Sequence, residues 1–205
     1  FNSGSSTSNI FDFKGSQTSD DKEFYAWGAS LEEGSYPTSY IKSNSGSAVT
    51  RLADSCSQTV PDGVIGQTEG TLFLEVAALT NTPSNDYITI SDGTNNNFVG
   101  ISFYTGTNRI IIDYIGGGVP VYSAQTLSDI TLFNKIAINY NGTSLKVFIN
   151  GNNVFSSSVN SFNASLNTLL FSYPTTYNNF IGKTNQIQVF TEALSDEELQ
   201  KLTTI

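Results

Sequence analysis

Carboxylates and tyrosines are the side chains in this chain that could act on a ligand. There is no histidine, which removes Ser-His-Asp and Cys-His nucleophilic catalysis and the commonest zinc ligand together. Hydrolysis of a glycosidic bond with retention needs two carboxylates about 5 Å apart. The sequence offers no such pair. Glu69 and Glu75 stand six residues apart with no acid between them. Glu32 and Glu33 are adjacent and would point to opposite faces of a strand. Glu192, Glu197 and Glu198 belong to a terminal strand and helix. No catalytic residue is assigned, and the chain is expected to bind rather than to cleave. Cys56 is the single cysteine; it cannot close an internal disulfide and reads as a buried free thiol.

Binding is better served. Sugars are held by aromatic faces against their C–H surfaces, with amide, carboxylate or guanidinium groups near by for the hydroxyls. Two stretches, both read as loops, offer that mixture. One runs from Asp113 and Tyr114 through three glycines to Tyr122, with Tyr104 and Arg109 flanking it across a hairpin. The other runs from Tyr173 to a cluster of Tyr177, Asn178 and Asn179, expected to be exposed. A third loop, residues 92–97, carries Asp92 and Asn95 at positions that could present oxygens to calcium, although the bidentate Glu of an EF-hand is missing. Trp27 is the one tryptophan. Beside Phe24 and Tyr25 it reads as a packing anchor rather than a sugar platform.

A scaffold for these residues is written in the hydrophobic alternation. From Ile136 to Ser157 apolar and polar residues alternate on both sides of Asn141-Gly142 and again around Asn150-Gly151. Period two is the signature of a half-buried strand, and Asn-Gly suits a type I′ turn. The stretch predicts three antiparallel strands at 136–140, 145–149 and 153–157. Residues 70–78 read as a central strand covered on both faces. Further strands are expected at 87–91, 98–104, 109–114, 168–171 and 186–191, separated by short turn signals such as Asp92-Gly93 and the Gly116–118 run. That rhythm predicts an all-β, two-sheet antiparallel sandwich rather than alternating strands and helices. Near the end, Ser195-Asp-Glu-Glu198 is a capping box that opens one short helix, with Leu199 and Leu202 facing the sheet.

Several of these motifs carry a resemblance. Leu145-Lys-Val-Phe-Ile-Asn-Gly151 and the closing stretch from Gln188 to Leu199 resemble the concanavalin A-like, laminin-G-like jelly rolls. Residues 27–41 and 48–54 resemble linkers of bacteriophage tail-fibre and related virion proteins, where they join two glycan-binding-type sandwiches. The resemblance implies residues 1–47 as a strand and linker left from a preceding domain, and 48–205 as the sandwich. It also implies a virion or extracellular setting, with host-surface polysaccharide as the partner. Residues 1–40 are too few to bury a core alone, so they are expected to contact the sandwich, neighbouring copies or other virion proteins. Two alternatives stand beside this reading: a purely structural virion domain, and a carbohydrate-binding module of a secreted polysaccharide-degrading enzyme.

Composition agrees with a surface module. Charged residues make up 13% of the 205 residues and the net charge is −9, which argues against nucleic acid, whose phosphates attract clustered Lys and Arg. No apolar run approaches the ~20 residues that span a bilayer, so no membrane insertion is expected. With no methionine anywhere, the chain reads as a piece of something longer.

Overall fold

A computed structural model describes residues 56–205 apart from Ser84, Thr105, Tyr177 and Asn178. Eleven strands precede one helix: β1 (Ser57–Thr59), β2 (Glu69–Ala78), β3 (Asp86–Ser91), β4 (Phe98–Phe103), β5 (Arg109–Gly116), β6 (Val119–Thr126), β7 (Asn134–Asn141), β8 (Ser144–Ile149), β9 (Asn152–Ser158), β10 (Thr168–Leu170), β11 (Gly182–Phe190) and α1 (Asp196–Thr203). They form a six-stranded sheet in the order β1-β10-β3-β4-β5-β6 and a five-stranded sheet in the order β11-β2-β7-β8-β9, with every pairing antiparallel. This is the sandwich that the alternation predicts. Among the described residues no helix is long and apolar enough to cross a membrane.

The core lies between the sheets, because each strand turns one row of apolar side chains inward. Leu72, Leu74 and Val76 come from β2, Ile88 and Ile90 from β3, Ile101 and Phe103 from β4, Ile110 and Ile112 from β5, and Ile136 and Ile138 from β7. Each such side chain contributes about 1.5–3 kcal/mol when fully withdrawn from water. Tyr114 and Tyr140 close one end of this core against Phe162, with Tyr114 and Phe162 ring centroids 4.8 Å apart. Their hydroxyls donate to Asn160 O (2.9 Å) and Gly66 O (2.7 Å), so neither polar tip is buried unpaired.

The second buried cluster is on the other side of the five-stranded sheet. Phe73, Ala137 and Phe148 meet Leu199, with Leu202 packed at the margin, as the helix pattern predicts. The capping box forms: Glu198 N donates to Ser195 Oγ (3.4 Å) and Ser195 N donates to Glu198 Oε2 (2.9 Å). Ahead of the helix, Thr71 Oγ1 donates to Asn139 Oδ1 (2.7 Å), while Asn139 Nδ2 donates to Leu194 O (3.2 Å). That polar clamp fixes the chain where it enters α1.

The structure departs from the sequence reading in four places. The β8–β9 turn has φ +49° at Asn150 and +80° at Gly151, the type I′ pattern expected. The β7–β8 turn does not: Asn141 pairs with Ser144, so the turn residues are Gly142 and Thr143, and only Gly142 is at positive φ, the type II′ pattern. Residues 119–122, the end of the stretch from Asp113 to Tyr122 read as a loop, belong to strand β6, joined to β5 through Gly117 and Gly118 at φ +58° and +81°. The short edge strand β1 was not anticipated. Cys56 is free but exposed rather than buried. The strand and linker expected within residues 1–47, Trp27 among them, and the boundary at residue 47 lie outside the described residues.

Leu199→Ala is expected to destabilise the protein by about 2–5 kcal/mol, because it empties the centre of the cluster beneath α1. Ser195→Ala, which removes only the cap, is expected to cost about 1 kcal/mol. Urea unfolding of both variants checks the ordering.

Candidate functional site

Since inward positions are fixed by the core, the residues between them must face away from it. On the six-stranded sheet this outward set forms rows across the strands. Tyr87, Ser102, Ile111 and Ala124 stand in register, and so do Thr89, Gly100, Asp113 and Tyr122. A loop folds over one edge of this face. Thr89 Oγ1 donates to Ser172 O (2.9 Å), and Thr175 Oγ1 donates to Asn95 Oδ1 (2.8 Å). Tyr173 is thereby held edge-on to Tyr87 (5.1 Å) and to Phe98 (5.2 Å).

The result is an open cavity of about 560 Å³ lined by Tyr87, Tyr104, Arg109, Ile111, Asp113, Tyr122, Ala124, Tyr173 and Thr176. Its volume falls within the ~300–1,000 Å³ range of small-ligand sites. Ile111 and Ala124 form an apolar patch of floor, and tyrosines supply the walls. Arg109 lies over the Tyr104 ring, 5.4 Å from its centroid, a cation–π contact that holds the guanidinium at one end. Gly100 is obligatory beside Asp113, since a Cβ there would come within 2.1 Å of Ile88 O.

Asp113 is the unusual group. It is 4% exposed, and Ser102 Oγ donates to its Oδ2 at a long 3.3 Å. Burial pushes its carboxyl from the usual 3.8 up to about 7, against a smaller downward pull from Ser102. Burial also raises the Tyr87 phenol to about 12, with the Asp113 charge adding to it. Tyr122 and Tyr173 are raised as well, by burial first and then by neighbouring Asp113 and, for Tyr173, Tyr122. The phenols around Asp113 therefore stay protonated at neutral pH and can donate or accept.

Of the residues singled out in the sequence, the structure brings Tyr104, Arg109, Asp113, Tyr122 and Tyr173 into this one cavity. Tyr114 is a correction: it neighbours Asp113 in sequence, so on a strand it must face the other way, and it is 1% exposed in the core. Asn179 bridges to Ser172 outside the cavity lining. Tyr177 and Asn178 lie outside the described residues. Sequence reasoning missed Tyr87, Ile111, Ala124 and Thr176. Tyr87 was legible, since Ile88 and Ile90 point inward and put Tyr87 on the opposite face.

Asp92 and Asn95 share a loop whose oxygens are turned to separate partners. Asp92 Oδ1 accepts from Thr94 N (2.8 Å) and Thr94 Oγ1 (2.7 Å), and Oδ2 accepts from Asn97 Nδ2 (2.8 Å). Asn95 Oδ1 accepts from Thr175. Burial tends to raise the Asp92 carboxyl, but these bonds outweigh it and hold it below the usual value. Among the described residues no three His, Cys, Asp or Glu side chains gather in one place.

Residues 53–200 match the family described as the concanavalin A-like lectin/glucanases superfamily. A search of curated proteins finds no match. Solved structures with a similar fold include the CBM40 of the Ruminococcus gnavus IT-sialidase bound to alpha2,3 sialyllactose, at TM-score 0.56 and 18% identity over 68% of this chain and 84% of that one. Domain 4 of AbnA, a GH43 extracellular arabinanase from Geobacillus stearothermophilus, solved with arabinotriose, gives TM-score 0.55 and 14% identity over 71% of each chain. The NanB sialidase from Streptococcus pneumoniae gives TM-score 0.55 and 16% identity over 68% of this chain and 25% of that one. At these identities the likeness is one of fold.

The buried carboxyl has a consequence for stability. With its folded value near 7 and its ordinary value at 3.8, Asp113 binds its proton more tightly in the folded state. Its contribution to stability is full below about pH 4 and is lost as pH rises to about 7. Asp113→Asn is expected to raise the melting temperature at pH 8, by an amount equivalent to a few kcal/mol, and to change little at pH 4. Thermal melts of both proteins across that range check the sign.

Proposed function

The chain belongs to the concanavalin A-like lectin/glucanase superfamily, and from that premise we propose that it is a non-catalytic carbohydrate-binding module whose ligand lies in the tyrosine-walled cavity of the six-stranded sheet. The observation that carries this reading is the convergence of Tyr87, Tyr104, Tyr122 and Tyr173 with Asp113 and Arg109 around one open cavity. Rings supply platforms for the C–H faces of a sugar, and the charged groups supply hydrogen bonds to its hydroxyls. The sugar-bound sandwiches of similar fold, one with sialyllactose and one with arabinotriose, support the same reading. So does the lack of a carboxylate partner for Asp113 among the residues that line the cavity.

The module works outside the cell, as part of a phage tail fibre or another virion appendage that attaches to host-surface polysaccharide. The upstream segment, residues 27–41 and 48–54, supports that setting through its likeness to tail-fibre linkers. In a fibre several copies would act together, and avidity would offset a weak single site. A second setting is favoured by the structural likeness to domains of sialidases and an arabinanase: a module carried by a secreted polysaccharide-degrading enzyme. The genes that flank this one separate the two settings, tail and baseplate genes against polysaccharide-degrading enzymes.

The protein is expected to bind a subset of oligosaccharides on a glycan microarray and to release no new reducing ends from them. Tyr122→Ala and Tyr173→Ala are each expected to lower affinity by about tenfold or more while leaving the melting temperature near that of the parent for the exposed Tyr122. Absence of binding to any glycan would favour a structural domain instead.

A further inference from the structure

Within the cavity the polar groups are unevenly distributed. Asp113 lies on the floor between Gly100, which has no side chain, and Tyr122. A carboxylate has about four lone-pair positions, and among the described residues only Ser102 donates to this one, at 3.3 Å. Its remaining acceptor capacity meets no other donor among the described residues, and Asp113 is part of the cavity lining. Among the described residues Arg109 is the one cation lining the cavity. It sits four residues away along β5, a Cα separation of about 13 Å at roughly 3.3 Å per residue, with its guanidinium held over Tyr104.

We propose that Asp113 makes the cavity selective for neutral sugars: its carboxylate receives a pair of hydroxyls from one sugar ring and turns away rings that bear a carboxylate of their own. This specificity rests on the carbohydrate-binding reading of the same cavity. Only a donor can fill the unused positions on Asp113, and neighbouring hydroxyls on a pyranose or furanose ring are paired donors. A carboxylate on that ring would meet a like charge in a partly desolvated site. The net charge of −9 adds a long-range repulsion toward acidic polymers.

Protonation follows the same logic. Hydroxyls that donate to Asp113 favour its ionised form and oppose the upward push of burial, so ligand binding draws the carboxyl down and releases a proton. The groups that face Asp113 are Tyr87 from β3, Ser102 from β4, Tyr122 from β6 and Tyr173 from the covering loop. The three phenols are all raised above their ordinary value, which leaves Asp113 as the one of these facing groups raised toward neutrality. Affinity for a neutral sugar therefore rises between pH 5 and pH 8.

The test is a microarray that presents neutral oligosaccharides (lactose, arabinotriose, cellotetraose) beside acidic ones (sialyllactose, trigalacturonate), followed by calorimetry on the strongest hits at pH 5 and pH 8. The expected result is binding confined to neutral sugars, with acidic ones at least about tenfold weaker, and tighter binding at pH 8. Asp113→Asn is expected to lower affinity for the neutral hit by about tenfold or more and to abolish its pH dependence, while near-ultraviolet circular dichroism stays native. Equal or tighter binding of an acidic sugar overturns the selectivity and leaves the carbohydrate reading standing, as does unchanged affinity of Asp113→Asn. Failure of every glycan to bind overturns both.

Discussion

The register of the six-stranded sheet is the constraint on which the rest depends. Ile88, Ile101 and Ile112 lie side by side across β3, β4 and β5, and each is sealed from solvent. Because side chains alternate at period two, this buried row decides what appears on the other surface. A slip of one residue would send Tyr87, Asp113 and Tyr122 into the core and push isoleucines into water. The core and the cavity are therefore two consequences of one pairing. The site needs no scaffold beyond the one that already keeps the sheets together, apart from the loop that Thr89 and Asn95 hold over the sheet edge.

Much of the architecture was legible in the sequence because it is local. Alternation through 136–157 marks β7, β8 and β9, and Ser195 with Glu198 marks the start of α1 within a residue. The failures are instructive. The first half of β6 falls in the stretch read as a loop, since the Gly116–118 run is a turn signal, yet Pro120 sits on a strand at the end of the sheet, where a missing N–H can be tolerated. Tyr114 was grouped with Asp113 because they are adjacent, although adjacency on a strand means opposite faces. The Asn141-Gly142 turn is offset by one position, since Ser144 pairs with Asn141 and leaves Gly142 to lead the turn. The candidate site was legible in part: Tyr104, Arg109, Asp113, Tyr122 and Tyr173 come from segments up to seventy residues apart, and only the sheet order brings them together.

Asp113 sets a demand of affinity against stability. A carboxylate withdrawn from water and given one weak donor disfavours the folded state whenever it is ionised. An asparagine there would relieve the strain, and so would a second donor from the protein. Neither is present. The Gly100 beside it could not supply one, because the β3 backbone leaves no room for a side chain. The described residues thus leave acceptor positions on Asp113 open to a ligand in the cavity. Destabilised polar groups of this kind cluster where proteins meet ligands.

The helix α1 covers the outer side of the five-stranded sheet, whereas the cavity opens from the outer side of the six-stranded one. Two sheets, spaced about 10 Å apart in such sandwiches, stand between them. The sandwich therefore has a front and a back. Lys201 is exposed on the helix, so a biotin or fluorophore coupled there would sit on the back, and the protein could be displayed on a sensor chip with its cavity directed into the flowing sample.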